Sequence, residues 1–251
     1  MWFFSSKTPD KNAPSKEFLE LEAKAALQGE PKGELREQYE PIPTRRLGDT
    51  NTAISQIGLG CMRLTESWRN IDLRSVDVIH AALDGGVRFF DTARWYSWGD
   101  GEPGQNEKIV ARALKEWPHD TSRVLVSTKV GMKRKKKKDR TVLDGSPEFL
   151  RSSVEGSLKD LELDRLSLVH LQEPDPKVPL EDSLGELVRL KDEGKIRHIG
   201  LCNMTLEQLE LACSVTRIAS VQYRCNPWWR EAWRLGILEY CEAHDITLIA
   251  H

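Results

Sequence analysis

From residue 44 onward the sequence alternates short apolar runs with longer amphipathic stretches, without a break. That rhythm is the mark of βα units arranged around a parallel sheet. Seven runs read as strands: QIGLGCM (56–62), VRFFDT (87–92), RVLVSTKV (123–130), LSLVHLQ (166–172), RHIGLCN (197–203), SVQYRC (220–225) and ITLIAH (246–251). The stretches between them have helical grammar. DLRSVDVIHAALDGG begins with Asp72 as a cap, sets Val76, Ile79, Ala82 and Leu83 at helical spacing, and stops at Gly85 and Gly86. SPEFLRSSVEGSLKDLEL offers Ser146 as a cap and Pro147 at the first helical position, followed by Phe149, Leu150, Val154 and Leu158. A doubly wound open sheet would call for a glycine fingerprint after its first strand. GLGCMR is not G-x-G-x-x-G, and no Walker-type loop occurs. The expected fold is therefore α/β, a (β/α)8 TIM-type barrel whose sequence stops within the seventh strand.

Composition sets the frame. The 251 residues suffice to bury a substantial core, and 39% hydrophobic with 30% charged residues is the balance of a soluble globular chain. The 37 basic and 39 acidic side chains leave a net charge of −2, so no global pull toward nucleic acid or an acidic membrane is expected. Five cysteines, odd in number and without a C-x-x-C pair, argue against a disulfide framework and against a zinc site. A cytoplasmic setting follows. The start, MWFFSSKTPDK, is too poor in apolar residues for a signal peptide, and no window approaches a membrane span. Residues 1–43 are charged and punctuated by proline, and read as a mobile extension with one short helix capped by Ser15; residues 44–251 read as the barrel domain.

In such a barrel, chemistry gathers at the C-terminal ends of the strands. Asp91 ends the second strand, Lys129 the third, Gln172 the fourth and Asn203 the fifth, and Gln222 lies in the sixth; all are polar residues in apolar runs. A buried carboxylate or ammonium without a partner is costly, so Asp91 and Lys129 are expected to pair. Tyr96 follows Asp91 by five residues. A free tyrosine has a pKa of about 10, and a nearby ammonium favours its phenolate, which would make it a better acid.

Taken together, FFDTARWYSWG, VLVSTKVG, IRHIGLCNMTLEQLE and VQYRCNPWW resemble, in order, the D-T-A-x-x-Y-G, lysine-strand, I-G-V-S-N-F and Q-x-x-x-N-P segments of the aldo-keto reductase superfamily. The resemblance covers residues 43–251. It implies an NADP(H)-dependent oxidoreductase, with NAD(H) as an alternative, that reduces small aldehydes or ketones by hydride transfer. Tyr96 would be the general acid, with Lys129 and Asp91 tuning it. Gly60, Cys61, Met62, Asn203, Gln222 and His251 would meet the cofactor, Asn203 and Gln222 at its carboxamide and His251 stacked on the nicotinamide.

Two departures qualify that reading. Aligning Pro174, Asp175 and Pro176 with the family's L-H-x-P-D-P segment puts Gln172 at the position of the family histidine, an amide that the family's potassium-channel β subunits also carry. Gln172 can donate a hydrogen bond but cannot relay a proton. His170 lies about 6 to 7 Å deeper on the same strand face and reads as a buried core histidine. The family's eighth strand and its basic adenosine-phosphate segment do not occur before His251, so an oligomer or a partner covering the open barrel edge is expected. The alternative function is a weakly active or inactive cofactor-binding regulatory subunit, or a non-functional truncated product. KRKKKKDR (133–140) reads as a solvated loop, and Trp95, Trp98, Trp228 and Trp229 as residues of loops overhanging the barrel mouth.

Overall fold

An antiparallel hairpin, β1 (Thr44–Arg46) with β2 (Ala53–Ser55), leads the described part of the computed structural model, which comprises residues 42–65, 71–97, 102–135 and 140–251. Then follow β3 (Leu59–Gly60), β4 (Phe89–Asp91), β5 (Leu125–Val130), a second hairpin of β6 (Met132–Lys135) and β7 (Arg140–Leu143), and β8 (Leu166–Leu171), β9 (Ile196–Cys202), β10 (Ile218–Tyr223) and β11 (Thr247–Ala250). The seven expected strands form one parallel sheet in the order β11-β10-β9-β8-β5-β4-β3. Gln222 of β10 bonds Asp91 of β4 at 3.0 Å although three strands separate them in that order. Only a sheet that curls on itself allows this contact, and the curl is that of a (β/α)8 barrel. β3 and β11 face each other across a cavity of about 360 Å³.

Helices α1 (Ile71–Asp84), α2 (Gln105–Glu116), α3 (Pro147–Asp160), α4 (Leu180–Asp192) and α5 (Leu206–Val215), with the short α6 (Glu231–Arg234) and α7 (Ile237–Ala243), link the strands. Strand side chains alternate between the two faces. Outward residues such as Val126, Val130, Val169, Leu171, Ile199 and Leu201 join helix residues such as Val110, Leu150 and Leu187 in the main core. A smaller core of Leu47, Ile54, Phe89, Leu125, Leu168 and Ala219 lies inside the curl, where the first hairpin packs on the N-terminal ends of the strands. Gly48 N–H donates to Thr247 Oγ1 at 2.6 Å and so ties that hairpin to β11.

Several local expectations change. Asp72 lies inside α1, so it is not the residue that precedes the helix. The first strand is two residues long, and Met62–Thr65 is a 3-10 turn. Residues on both sides of the lysine run pair as the β6–β7 hairpin, where a plain loop was expected; Lys136–Asp139 themselves lie outside the described residues. Ser146 does precede α3, with Pro147 first in the helix, but its hydroxyl bonds Asp144 Oδ1 at 2.6 Å and not a helix N–H. The extension with its helix at Ser15, and Trp98, lie outside the described residues. Among the described residues no helix is long and apolar enough to cross a membrane, and no cluster of His, Cys, Asp and Glu could hold a metal ion.

Candidate active site

Asp91 and Lys129 occupy neighbouring parallel strands and point to the inside of the curl. Lys129 Nζ donates to Asp91 Oδ2 at 2.6 Å and to Thr92 O at 2.9 Å, and both side chains are buried. Burial works against the charge of Lys129, but the Asp91 carboxylate, helped by Tyr96 and Cys202, outweighs it and holds the ammonium above the ordinary lysine range. Gln222 Nε2 adds a donor to Asp91 Oδ2, while its own Oε1 takes the Cys202 thiol at 3.5 Å. Asp91 Oδ1 is buried and has no partner.

Tyr96 sits in the turn after β4, only 8% exposed, and Lys129 Nζ lies 5.0 Å from the centre of its ring. Burial raises the pKa of the phenol, the Lys129 ammonium pulls it down, and Asp91 pushes it up again; the outcome is a raised value. The expected activation by Lys129 is therefore exceeded by desolvation, and Tyr96 is held as a neutral phenol. Trp95 meets Tyr96 edge to face at 4.9 Å and donates its indole N–H to Gln172 Oε1 at 3.3 Å. Gln172 stands one residue past β8, with its amide Nε2 left for another acceptor.

The other expected positions differ in access. Gly60 faces open space, where an added Cβ would meet nothing within 4 Å. Met62 is exposed. Cys61 is fully buried with its backbone N–H on Asp91 O at 2.8 Å, and burial pushes its thiol to about 12. Asn203 is exposed at φ 54, one residue past β9, and its backbone N–H reaches Gln222 O at 3.2 Å. His251 follows β11; burial lowers its pKa, with Asp91 and Lys129 both near enough to act on it. Trp228 is 82% exposed, and Trp229 is stacked under Arg224 at 3.5 Å.

One layer deeper, His170 bridges two serines. Its Nδ1 meets Ser127 Oγ and its Nε2 meets Ser220 Oγ, both at 2.9 Å. A neutral imidazole has one N–H and one acceptor, so one hydroxyl accepts and the other donates. Burial drives the pKa of His170 down to about 3, which keeps it uncharged beside the ion pair. Ser127, His170 and Ser220 each stand two residues before Lys129, Gln172 and Gln222, on the same strand faces.

Sequence reasoning passed over a second polar layer on the helix side. Asn106 and Glu107 open α2 fully buried. Asn106 accepts from Thr92 Oγ1 at 2.5 Å and donates to Cys61 O at 2.8 Å; Glu107 accepts from Thr128 Oγ1 at 2.5 Å and from Arg94 at 3.3 Å. A signal was present, since Asn106 falls on the same helical stripe as the buried Ile109, Val110, Ala113 and Trp117.

Residues 56–251 match the model of the Aldo/keto reductase family. A probable aldo-keto reductase 1 of Glycine max is 32% identical over 196 residues, which span 77% of this chain and 54% of the relative. The aldo-keto reductase YhdN of Bacillus subtilis (strain 168) is 32% identical over 207 residues, or 82% of this chain and 60% of that one. Among solved structures, the glycerol dehydrogenase AKR11B4 from Gluconobacter oxydans superposes with a TM-score of 0.73 at 33% identity, covering 82% of this chain and 62% of its own. The chain thus spans between half and two-thirds of the length of these three proteins, and over that span it belongs to the aldo/keto reductase family.

Proposed function

We propose that the chain carries the proton-donating site of an NADP(H)-dependent reductase of small aldehydes and ketones. The observation that supports this most is the stack of Tyr96, Lys129 and Asp91: a neutral buried phenol beside an ammonium that a carboxylate holds charged. Before the reaction, burial keeps the proton on Tyr96. Once that proton passes to a carbonyl oxygen, the phenolate left behind lies next to Lys129, so the same ammonium stabilises the charge that develops. Gln172, whose Oε1 is engaged by Trp95, has amide N–H groups that would be available to the same oxygen.

The residues fit the nicotinamide end of a dinucleotide. Gly60 leaves open space beside Asp91, the buried Oδ1 of Asp91 lacks a donor, and the exposed Asn203 amide stands at the rim. When bound, the reduced nicotinamide would supply hydride to the carbonyl carbon. Asn203 and Gln222 would hold its carboxamide, with Gly60, Met62 and the backbone at Cys61 beneath it and His251 against the ring. Because one similar structure is a glycerol dehydrogenase, small polyols and their carbonyl forms belong in the substrate panel.

The test follows NADPH and NADH absorbance with a panel of aldehydes and hydroxyketones, with Tyr96→Phe alongside. Turnover that disappears in Tyr96→Phe supports the reading, and turnover that persists overturns it. A second reading, a cofactor-binding regulatory subunit of this fold, is favoured by Gln172, which cannot relay a proton. Cofactor binding without turnover on any substrate of the panel would support it.

A further inference from the structure

We infer that Asn106 and Glu107 are positioning residues that set Tyr96 against Lys129. The inference rests on the proposed role of Tyr96. Each residue reaches a different set of strand ends. Asn106 takes the Thr92 hydroxyl on its Oδ1, and its Nδ2 donates to Cys61 O at 2.8 Å and to Thr65 Oγ1 at 3.1 Å. The single Thr65 hydroxyl proton is in turn shared between Met62 O at 3.3 Å and the backbone carbonyl of Tyr96 at 3.5 Å. Glu107 receives the hydroxyl of Thr128, the residue before Lys129, on Oε1 and the guanidinium of Arg94, two residues before Tyr96, on Oε2.

Arg94 completes the link. Its backbone N–H donates to Lys129 O at 3.2 Å, and its side chain also pairs with Asp160 at 2.8 Å. The space for it is built in. A Cβ on Gly156 would run into the Arg94 guanidinium, and one on Gly104, which adopts φ +85, would run into the Asp160 carboxylate. Two consecutive side chains of one helix therefore grip both the strand that carries Lys129 and the turn that carries Tyr96. A fully buried carboxylate is costly unless it is bonded, so Glu107 holds its two partners firmly or forfeits its burial. Burial does raise its pKa, against the opposing influence of the nearby Ser157 and Thr128 hydroxyls and the charge of Arg94.

The test reads the Tyr96 phenol directly. Tyrosinate absorbance is recorded after rapid pH jumps, and the share of Tyr96 is isolated by subtracting Tyr96→Phe. In the parent, Tyr96 should titrate above the ordinary value of about 10. Glu107→Gln retains an acceptor for Thr128 but loses one of the two carboxylates that hold Arg94 between α2 and α3. The Tyr96 turn should then open to water, and its midpoint should fall by about one pH unit, while Tyr223 and Tyr240 stay as in the parent. Thr128→Val cuts the same link from the strand side with almost no change of shape, and should shift Tyr96 in the same direction if Glu107→Gln does not fold. A folded variant with an unmoved Tyr96 midpoint overturns the inference. The midpoint does not depend on turnover, so a shifted midpoint in a chain that reduces no carbonyl would spare this inference and overturn only the proposed activity.

Discussion

His170 Nε2 reaches Ser220 Oγ at 2.9 Å by passing over β9, the strand that lies between them in the sheet. Gly200 is what clears the path. A Cβ there would stand 2.6 Å from His170 Nε2 and 2.8 Å from Ser220 Oγ. Gly200→Ala should therefore break the bridge and destabilise the chain by roughly 1 to 3 kcal/mol, the usual cost of overfilling a packed interior. Urea unfolding measures it, and an unchanged midpoint would show that His170 can swing aside without loss.

Acid should weaken the fold through the same residue. The folded-state pKa of His170 is lowered to about 3 from 6.5, so between these values the unfolded chain binds the proton and the folded chain does not. Stability should then fall as pH drops from about 6.5 toward 3, by an amount on the order of a few kcal/mol. His170→Gln, which lacks the titrating ring, should flatten that limb of a stability-versus-pH curve. An equally steep limb in the variant would assign it to other groups, His198 first, whose pKa burial lowers to about 4.

The alkaline limb has the opposite sign. Cys61, Tyr96 and Lys129 all have folded-state pKa values above their ordinary ones, so the unfolded chain releases these protons first. The stability they contribute is complete below the ordinary values and is lost as pH rises past about 9 to 10. Tyr96→Phe should make the decline shallower, provided thermal unfolding is read across that range in both proteins.

Lys129→Met should cost more than activity. It strands the Asp91 carboxylate in a buried site with Gln222 as its remaining side-chain donor, a loss of about 3 to 5 kcal/mol by comparison with other broken buried pairs. Adding Asp91→Asn should restore most of that stability without restoring carbonyl reduction. Denaturant midpoints of the two single variants and the double variant decide it; failure of the double variant to recover would mean that the pair itself, and not the stranded charge, holds the strands.

Gln172→His offers a test of the site's chemistry. An imidazole at the end of β8 would lose the bond from the Trp95 indole and gain a group able to donate a proton. Carbonyl reduction should rise several-fold in kcat if the amide limits turnover. A fall in kcat would show that the Trp95–Gln172 contact matters more than the identity of the donor.

The parts of this architecture that could be read from the sequence are those with a short-range cause. Each strand of the parallel sheet announced itself as a compact apolar run, and the polar residues ending those runs, Asp91 and Lys129 above all, had to find partners because burial without one is costly. The β6–β7 hairpin was hidden because a lysine run has no period to reveal pairing. Glu107 was hidden because it stands next to Lys108 in a helix that looks solvated from its charges alone, and only the fold brings Thr128 and Arg94 to it. For Tyr96 only one of two opposing effects could be read in advance. The pull of Lys129 can be inferred from residue types, whereas the opposing effect of desolvation depends on how completely the turn is covered.

The bond from Gly48 to Thr247 joins residues 199 positions apart, one in the β1–β2 hairpin and one in β11. During synthesis the hairpin leaves the ribosome long before its docking partner is made. At about 5 to 20 residues per second, Leu47 and Ile54 wait on the order of 10 to 40 seconds before that bond can form. Through that interval the apolar underside of the hairpin has no complete surface to cover it, so nascent chains stalled before residue 247 should be preferred clients of chaperones that bind exposed hydrophobic segments.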